Sequence, residues 1–249
     1  MTEVPYMALT ATATEKSRSD ILRILLMKNA VTLHIKPNRP NISYHVVNVQ
    51  GDWNSGCVFN PIFDSFISLL NNPTGPACPK VVVYCSKIDV LSSVFTFIKC
   101  RVPHPGTRKC PVAMFHNHSA KDNKDHVLSE FPKPHSVVRI VICSIAFGLG
   151  IDVPDIRYVI NFGAPTNIED FFQESGRAGR DGEASQSLLY HISQLKLQNT
   201  DAAMLEYLSS DIPCRREYLA QYFGLTDIED HPAPDVEPAA VCCDRCHEI

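Results

Sequence analysis

Apolar positions along this chain fall into short runs with two alternating rhythms. From Thr12 to about Lys28, Ile21, Leu22 and Leu25 recur at helical spacing behind Thr12 and Glu15, which fit a capping box, so the stretch reads as a helix. Ile42–Val49 is rich in β-branched residues and reads as a strand. Ile62–Leu70 is a short amphipathic helix, Val81–Cys85 a short buried strand and Asp89–Ile98 the helix after it. The rhythm repeats with a strand at Val112–Phe115 and a helix at Asp122–Phe131. Val137–Cys143, Tyr158–Phe162 and Ser187–His191 complete the strands. Lys36–Asn41, with two prolines, reads as a linker, while Gly51–Pro61, Asn71–Pro79 and residues 101–111 read as loops. Residues 195–224 read as helical up to Gly224, and Leu225–Ala240, with its acids and three prolines, as a loop. Strands alternating with helices predict an α/β protein whose parallel sheet carries helices on both faces.

Composition narrows this picture only a little. A chain of 249 residues suits one large domain or two smaller ones. No run approaches the roughly 18 apolar residues of a membrane helix, so no membrane partner is expected. Met1–Tyr6 has neither a basic start nor an apolar stretch, and no signal peptide is expected. The net charge of −4 gives no global basic signature for nucleic acid, so any grip on it has to be local. Ten cysteines in a long chain without a secretion signal, four of them near one end, favour a reducing compartment and a metal over disulfides.

Chemistry concentrates in the string QESGRAGRDG, Gln173–Gly182. Gln173, Arg177 and Arg180 stand at i, i+4 and i+7, which on a helix is one face. Thr166, Asn167, Ile168 and Glu169 spell a capping box that would start such a helix after Pro165. Two forked guanidiniums suit a phosphate that gains charge in a transition state. Glycines at 176, 179 and 182 predict that the helix ends there and that backbone comes close to something else. Upstream, Gly148 and Gly150 flank a leucine just after a strand, where glycine lets backbone approach a ligand, and Asp152 can accept hydrogen bonds from ribose hydroxyls.

The cysteine pattern is a second signal. Cys243 and Cys246 form a C-x₂-C clip suited to tetrahedral zinc, and Cys214 at the start of a helix supplies a distant third ligand. The fourth is open. Cys242 touches Cys243 in sequence, and adjacent cysteines share a site only with strained backbone, so His231, Asp235 and His247 compete with it. A metal set of His116, His118 and His126 is a minor alternative, with His118 and His126 expected to be exposed.

Taken together, these strings resemble the RecQ family of superfamily-2 helicases. QESGRAGRDG is similar to the last motif of that superfamily in its RecQ form. MALTATAT at Met7–Thr14, RPNISYHV at Arg39–Val46, VVVYCSK at Val81–Lys87 and AFGLGIDVPDIRYVINFGAP at Ala146–Pro165 resemble successive family segments. CRREYLAQYFG at Cys214–Gly224 and CDRC at Cys243–Cys246 resemble the two ends of the RecQ zinc module, in which an earlier cysteine supplies the fourth ligand. The resemblance runs from residue 7 to 247 and is weakest over 51–80 and 99–136.

It implies the end of a first RecA-like lobe and a connecting segment in residues 1–45. A second RecA-like lobe follows in 46–194, and a small helical zinc-binding segment in 195–249. It further implies a nucleotide cleft lined by Gly148, Gly150 and Asp152, with catalytic roles for Gln173, Arg177 and Arg180, and Arg180 as the favoured arginine finger. DNA phosphates would meet Ser86, Lys87, His116 and Ser144 at strand ends. The family's His-Ala-Gly is departed from here, where the string is FHNHSAK. The implied activity is ATP-dependent 3′–5′ unwinding of forked or junction DNA in recombination and repair, in the nucleus, with ATP, Mg²⁺ and Zn²⁺ as cofactors. Neither G-x-x-x-x-G-K-[ST] nor a DExH box occurs, so the chain is expected to be a fragment that does not hydrolyse ATP alone. The rival reading is a non-catalytic module that binds DNA or protein partners. An RNA helicase of the same superfamily is disfavoured by the cysteines.

Overall fold

The structure, a computed structural model, describes residues 7–10, 13–33, 39–53, 56–72, 74–75, 77–102, 110–148, 152–192, 195, 200–224 and 241–246. Six strands form one sheet: β1 (Ile42–Val49), β2 (Lys80–Cys85), β3 (Val112–Phe115), β4 (Ile140–Cys143), β5 (Ile156–Phe162) and β6 (Ser185–Ile192). Every neighbouring pair is parallel, in the order β1-β6-β5-β2-β4-β3. The helices among the described residues are α1 (Glu15–Ile24), α2 (Asn60–Asn71), α3 (Ile88–Lys99), α4 (Lys121–Glu130), α5 (Ile168–Ser175), α6 (Ala202–Leu208) and α7 (Arg215–Tyr222).

Side-chain alternation along the strands divides the core in two. Val81, Val83, Ile140, Ile142 and Ile160 pack on one side against α2 and α3. Val82, Tyr84, Val141, Val159 and Leu189 pack on the other side against α4, α5, α6 and α7. The expected parallel sheet with helices on both faces is therefore present. It also explains why β2 is apolar almost throughout and buried at all its positions, as an interior strand of a doubly covered sheet must be. The exception is Lys80, wholly buried at the start of β2. Its Nζ donates to Asp155 at 2.6 Å and to the Lys133 carbonyl at 2.9 Å, and lies 5.6 Å from the centre of the Phe131 ring. A buried ammonium is tolerable only with such partners.

Several sequence expectations shift. Thr12 lies outside the described residues. Thr14 caps α1, accepting from the Ser17 amide at 3.1 Å, and the helix ends at Ile24 rather than near Lys28. Leu26 and Asn29 adopt φ of 50° and 53°, which no helix continues through. No residue of α1 is buried. The boundary drawn between residues 45 and 46 falls inside β1, all of which pairs with β6, so the sheet begins at Ile42. In the stretch 195–224 the described residues form two short helices, α6 and α7, separated around Pro213.

The C-terminal helices are not an appendage. Tyr207 of α6 is fully buried against Phe171 of α5, ring centroids 5.0 Å apart, and Phe171 lies 6.5 Å from Tyr44 of β1. Phe223, just past α7, packs on Phe172 at 4.7 Å. One apolar cluster thus runs from the sheet to the last cysteines. Truncating Phe171 to alanine removes the ring that joins these parts. We expect a loss of about 3–5 kcal/mol, read from urea unfolding followed by circular dichroism. The transition should stay single, because α6 and α7 have no core of their own to unfold separately.

Candidate functional site

The Gln173–Gly182 string folds differently from its spacing. Asn167, one residue later than the expected Thr166, caps α5 by accepting from the Asp170 amide at 2.7 Å. The helix stops at Ser175, and residues 176–182 form turns in which Gly179 and Gly182 take φ of 52° and 90°. Gln173, Arg177 and Arg180 therefore share no helical face, because the glycines that punctuate the string end the helix before either arginine. Gln173 is exposed on the last helical turn and Arg177 is buried. Arg180 pairs with Asp152, Nη1 to Oδ1 at 2.7 Å. That carboxylate is 82% exposed, so the pair is water-screened and easily exchanged for a stronger anion.

The turns are rigid because other segments grip their backbone. Arg39 spreads its guanidinium over three carbonyls, those of Gly176 (3.3 Å), Ala178 (2.8 Å) and Gly179 (2.6 Å). Asn41 donates to the carbonyls of Gly179 and Glu183 at 2.8 and 2.9 Å. Arg157 ion-pairs with Asp181 and donates to Ser185 Oγ at 3.0 Å. The Gly179 and Asp181 amides donate to the carbonyls of Ile156 and Pro154. A Cβ at residue 179 would meet Asn41 Nδ2 and Ser185 Oγ at 2.5 Å, so the predicted close approach is real and its partner is this chain's own cradle. Nothing in the linker-like string Lys36–Asn41 marks Arg39 or Asn41 for this task, since their acceptors are backbone carbonyls far along the chain. Of that stretch, residues 36–38 lie outside the described residues.

Beneath the loop sits a buried polar group that sequence reasoning also missed. Glu174 accepts a hydrogen bond from Asn161 inside the core. Burial pushes its carboxyl up from 4.5 to about 8, against the pull of Asn161 and of the Arg177 charge. Burial likewise drives the Tyr84 phenol well above its usual range, with Arg177 opposing. Arg177 thus serves the interior, beside Glu174 and Tyr84.

The expected phosphate-contacting residues gather at the opposite end of the sheet. Ser86 and Lys87 follow β2, His116 follows β3 and Ser144 follows β4, so all four stand at carboxyl ends of adjacent strands. Ser86 and Lys87 are exposed, Ser144 is half-buried and His116 is nearly buried. The His118 amide donates to His116 Nδ1 at 3.2 Å, and burial lowers the His116 pKa, helped by His118 and Lys124. His118 is exposed, but His126 is half-buried rather than exposed. Gly148 closes a single 3₁₀ turn, Ile145–Gly148, and Gly150 lies outside the described residues.

The four cysteines do come together. The Sγ atoms of Cys214, Cys242, Cys243 and Cys246 all lie within 4.8 Å of one another, with Cys214–Cys242 at 3.8 Å and Cys243–Cys246 at 3.4 Å. Four thiolates around a tetrahedral zinc with bonds of about 2.3 Å stand about 3.8 Å apart, so the set fits that ion. The feared strain at adjacent cysteines is absent: among described non-glycine residues only Leu26 and Asn29 have positive φ. An isolated parallel bridge to Tyr44 steadies Cys243, with Tyr44 N to Cys242 O at 3.2 Å and Asp244 N to Tyr44 O at 3.0 Å. Cys214 also caps α7. His231, Asp235 and His247 lie outside the described residues.

Comparison with known proteins follows the same residues. The family "Helicase conserved C-terminal domain" matches residues 63–182. The Acanthamoeba polyphaga mimivirus "Putative ATP-dependent RNA helicase R290" is 31% identical over 98% of this chain and 42% of its own length. The Bacillus subtilis "Probable ATP-dependent DNA helicase RecS" is 35% identical over 74% of this chain and 34% of its own. The Xenopus laevis "RecQ-like DNA helicase BLM" is 30% identical over 98% of this chain and 18% of its own. The chain thus spans less than half the length of these relatives. A solved structure of Saccharomyces cerevisiae Dbp5 bound to RNA and ADP BeF3 shares the fold, with a TM-score of 0.58 at 16% identity, covering 87% of this chain and 48% of that one. No helix among the described residues is long and apolar enough to cross a membrane.

The buried carboxyl makes stability depend on pH in a definite direction. With its pKa raised to about 8, Glu174 stays protonated in the folded protein at neutral pH, while the unfolded chain ionises it near 4.5. The folded state then binds more protons, so this group lowers stability as pH rises from about 4.5 to 8. Glu174→Gln keeps an acceptor for Asn161 and removes the titration. Its melting temperature should match the parent near pH 5 and exceed it increasingly towards pH 8, measured by thermal melts across that range.

Proposed function

Because the chain is the C-terminal part of a RecQ-like superfamily-2 helicase core, we propose that it works as the second lobe of an ATP-dependent 3′–5′ DNA helicase. In this reading the parent protein unwinds forked or junction duplexes in recombination and repair, in the nucleus. Residues 1–45 bring the end of the first lobe and the connection, and α1, which buries none of its residues, fits a segment that packs on another body. One observation carries the assignment. Arg180 stands exposed on a loop clamped by Arg39, Asn41 and Arg157, and its guanidinium pairs with an aspartate that is itself largely exposed to water.

The reaction transfers the γ-phosphoryl group of ATP to water. Charge accumulates on the phosphoryl oxygens in the transition state, and a fixed guanidinium there is worth more than in water. Arg180 would exchange Asp152 for those oxygens, leaving the Asp152 carboxylate to accept from a ribose hydroxyl. Gly148 and Gly150 would line the same cleft, and Gln173, exposed at the end of α5, would orient the attacking side. Arg177, being buried, would set the position of the loop through Glu174 rather than touch phosphate. The phosphate cradle and Mg²⁺ ligands would come from the first lobe. Ser86, Lys87, His116 and Ser144 would hold one DNA strand by its phosphates, without reading sequence.

Zinc, when held by Cys214, Cys242, Cys243 and Cys246, cross-links α7 to the chain's last described turn. Structural zinc contributes on the order of 10–16 kcal/mol of apparent binding energy, so chelation should unfold α7 and the turn after it, seen as lost helical signal. Elemental analysis of protein purified under reducing conditions should give one zinc per chain. Cys242→Ser should lower that content, and His231→Ala should not.

The arginine test needs these residues joined to a first lobe that carries a G-x-x-x-x-G-K-[ST] loop. Arg180→Ala should cut DNA-stimulated turnover by about 10²-fold or more, towards the range of known arginine fingers. Arg180→Lys should fail nearly as badly, since a point charge lacks the planar fork. ATP and DNA binding should change much less. Parental turnover in Arg180→Ala would leave the non-catalytic binding module as the surviving reading. Stimulation by RNA but not by DNA would move the substrate to RNA.

A further inference from the structure

Two arginines outside the proposed chemistry connect the cysteine cluster to the loop that carries Arg180. Arg216, the second residue of α7, donates through Nε to Cys242 Sγ at 3.2 Å. Its other nitrogens donate to backbone carbonyls of one short segment: Arg39 at 2.7 Å, Ile42 at 2.7 Å and Pro40 at 3.4 Å. The same guanidinium stands 5.5 Å from the centre of the Tyr44 ring. The backbone it holds is that of Arg39, whose own guanidinium grips Gly176, Ala178 and Gly179. Between a cysteine sulfur and the arginine loop there are thus only two side chains and one tight turn of backbone, residues 39–42.

Each step of this chain depends on the fork of arginine. Arg216 serves a sulfur and three carbonyls from one planar group, and Arg39 serves three carbonyls. A lysine at either position has a single nitrogen, too compact to span those acceptors. The segment that Arg216 holds is also tied through Asn41, whose side chain donates to the Gly179 and Glu183 carbonyls, and through the pairing of Ile42 with Ser185. Ile42 N bonds the Arg39 carbonyl at 3.0 Å, and Ser185 N bonds the Asn41 carbonyl at 2.8 Å.

We propose that Arg216 is a positioning residue for ATP hydrolysis, fixing the Arg180 loop to the cysteine cluster through Arg39. The proposal rests on the hydrolysis reading given above for that loop. It assigns the cysteine module a task beyond stability: the cluster is the anchor against which the catalytic loop is held.

The first measurement needs no activity. Amide hydrogen exchange in residues 1–249 reports the loop through Gly179, Asp181 and Gly182, whose amides bond Ile156, Pro154 and Gly179 carbonyls. Val81, bonded to the Arg139 carbonyl, reports the sheet. In Arg216→Ala, exchange at the loop amides should rise by about tenfold or more while Val81 stays at the parental rate. Zinc content, measured on the same samples, should equal the parent's. Arg216→Lys should loosen the loop nearly as much. Parental protection of the loop in both variants would overturn the proposal. Where Arg216→Ala loosens the sheet as well, Arg39→Lys decides: a loosened loop with zinc retained supports the relay, and an unchanged loop overturns it. The second measurement uses the chain joined to a first lobe, where Arg216→Lys should lower kcat with little change in KM for ATP. A loosened loop with parental kcat would leave the relay standing and remove the catalytic assignment of the loop. A parental two-lobe protein that does not hydrolyse ATP would sink the hydrolysis reading alone, since exchange still judges the relay.

Discussion

Burial of both faces of a parallel sheet is the constraint from which the rest of this molecule follows. With α2 and α3 on one face and α4 to α7 on the other, the side chains of the interior strands β2 and β4 are buried throughout and cannot meet a ligand. The strand ends and the open edge remain. The carboxyl ends of β2, β3 and β4 carry Ser86, His116 and Ser144. The arginine loop lies at the other end, where its amides bond Pro154 and Ile156 at the entry to β5. The cysteines take the free edge of β1, where Cys243 bridges Tyr44 and covers backbone that would otherwise stand unpaired.

Charge in the interior is organised by the same geometry. Lys80 and Arg215 are almost wholly buried, and each is held by an aspartate and by backbone carbonyls. Glu174 meets the cost of burial by keeping its proton, which the Asn161 donor and the nearby Arg177 only partly oppose. These groups sit where helices end against the sheet. Glu174 ties the end of α5 to β5 through Asn161, and Arg215 ties the start of α7 to the end of α6 and to Asp244 beside the cysteines, so positions in the site follow from polar contacts in the core.

Much of the candidate site could be read in the sequence, though not its geometry. The strands were legible because each is a compact apolar run, and β1 and β3 have the bounds their composition predicts. The cysteine set was legible as residues but not as a cluster, since nothing in the order Cys242-Cys243 tells how two neighbours can reach one point. The shared face of Gln173, Arg177 and Arg180 was a misreading. It took i, i+4, i+7 spacing for helix, whereas the glycines within the string carried the stronger local signal. Arg39, Asn41 and Arg216 had no signal of their own, because their acceptors are backbone carbonyls, which every residue has.

The sequence by itself determined the alternation of strands and helices, the parallel sheet that follows, and the membership of a helicase family through short ordered strings. These depend on local periodicity and residue type, which are written along the chain. Tertiary structure decided which arginine faces solvent, which carboxyl keeps its proton, that Cys242 joins the other three cysteines, and that residues 39–42 clamp a loop some 140 positions away. Those outcomes depend on burial and on contacts between segments far apart in the chain. Their energies come from which groups lose water together, and that is settled only when the sheet has brought them side by side.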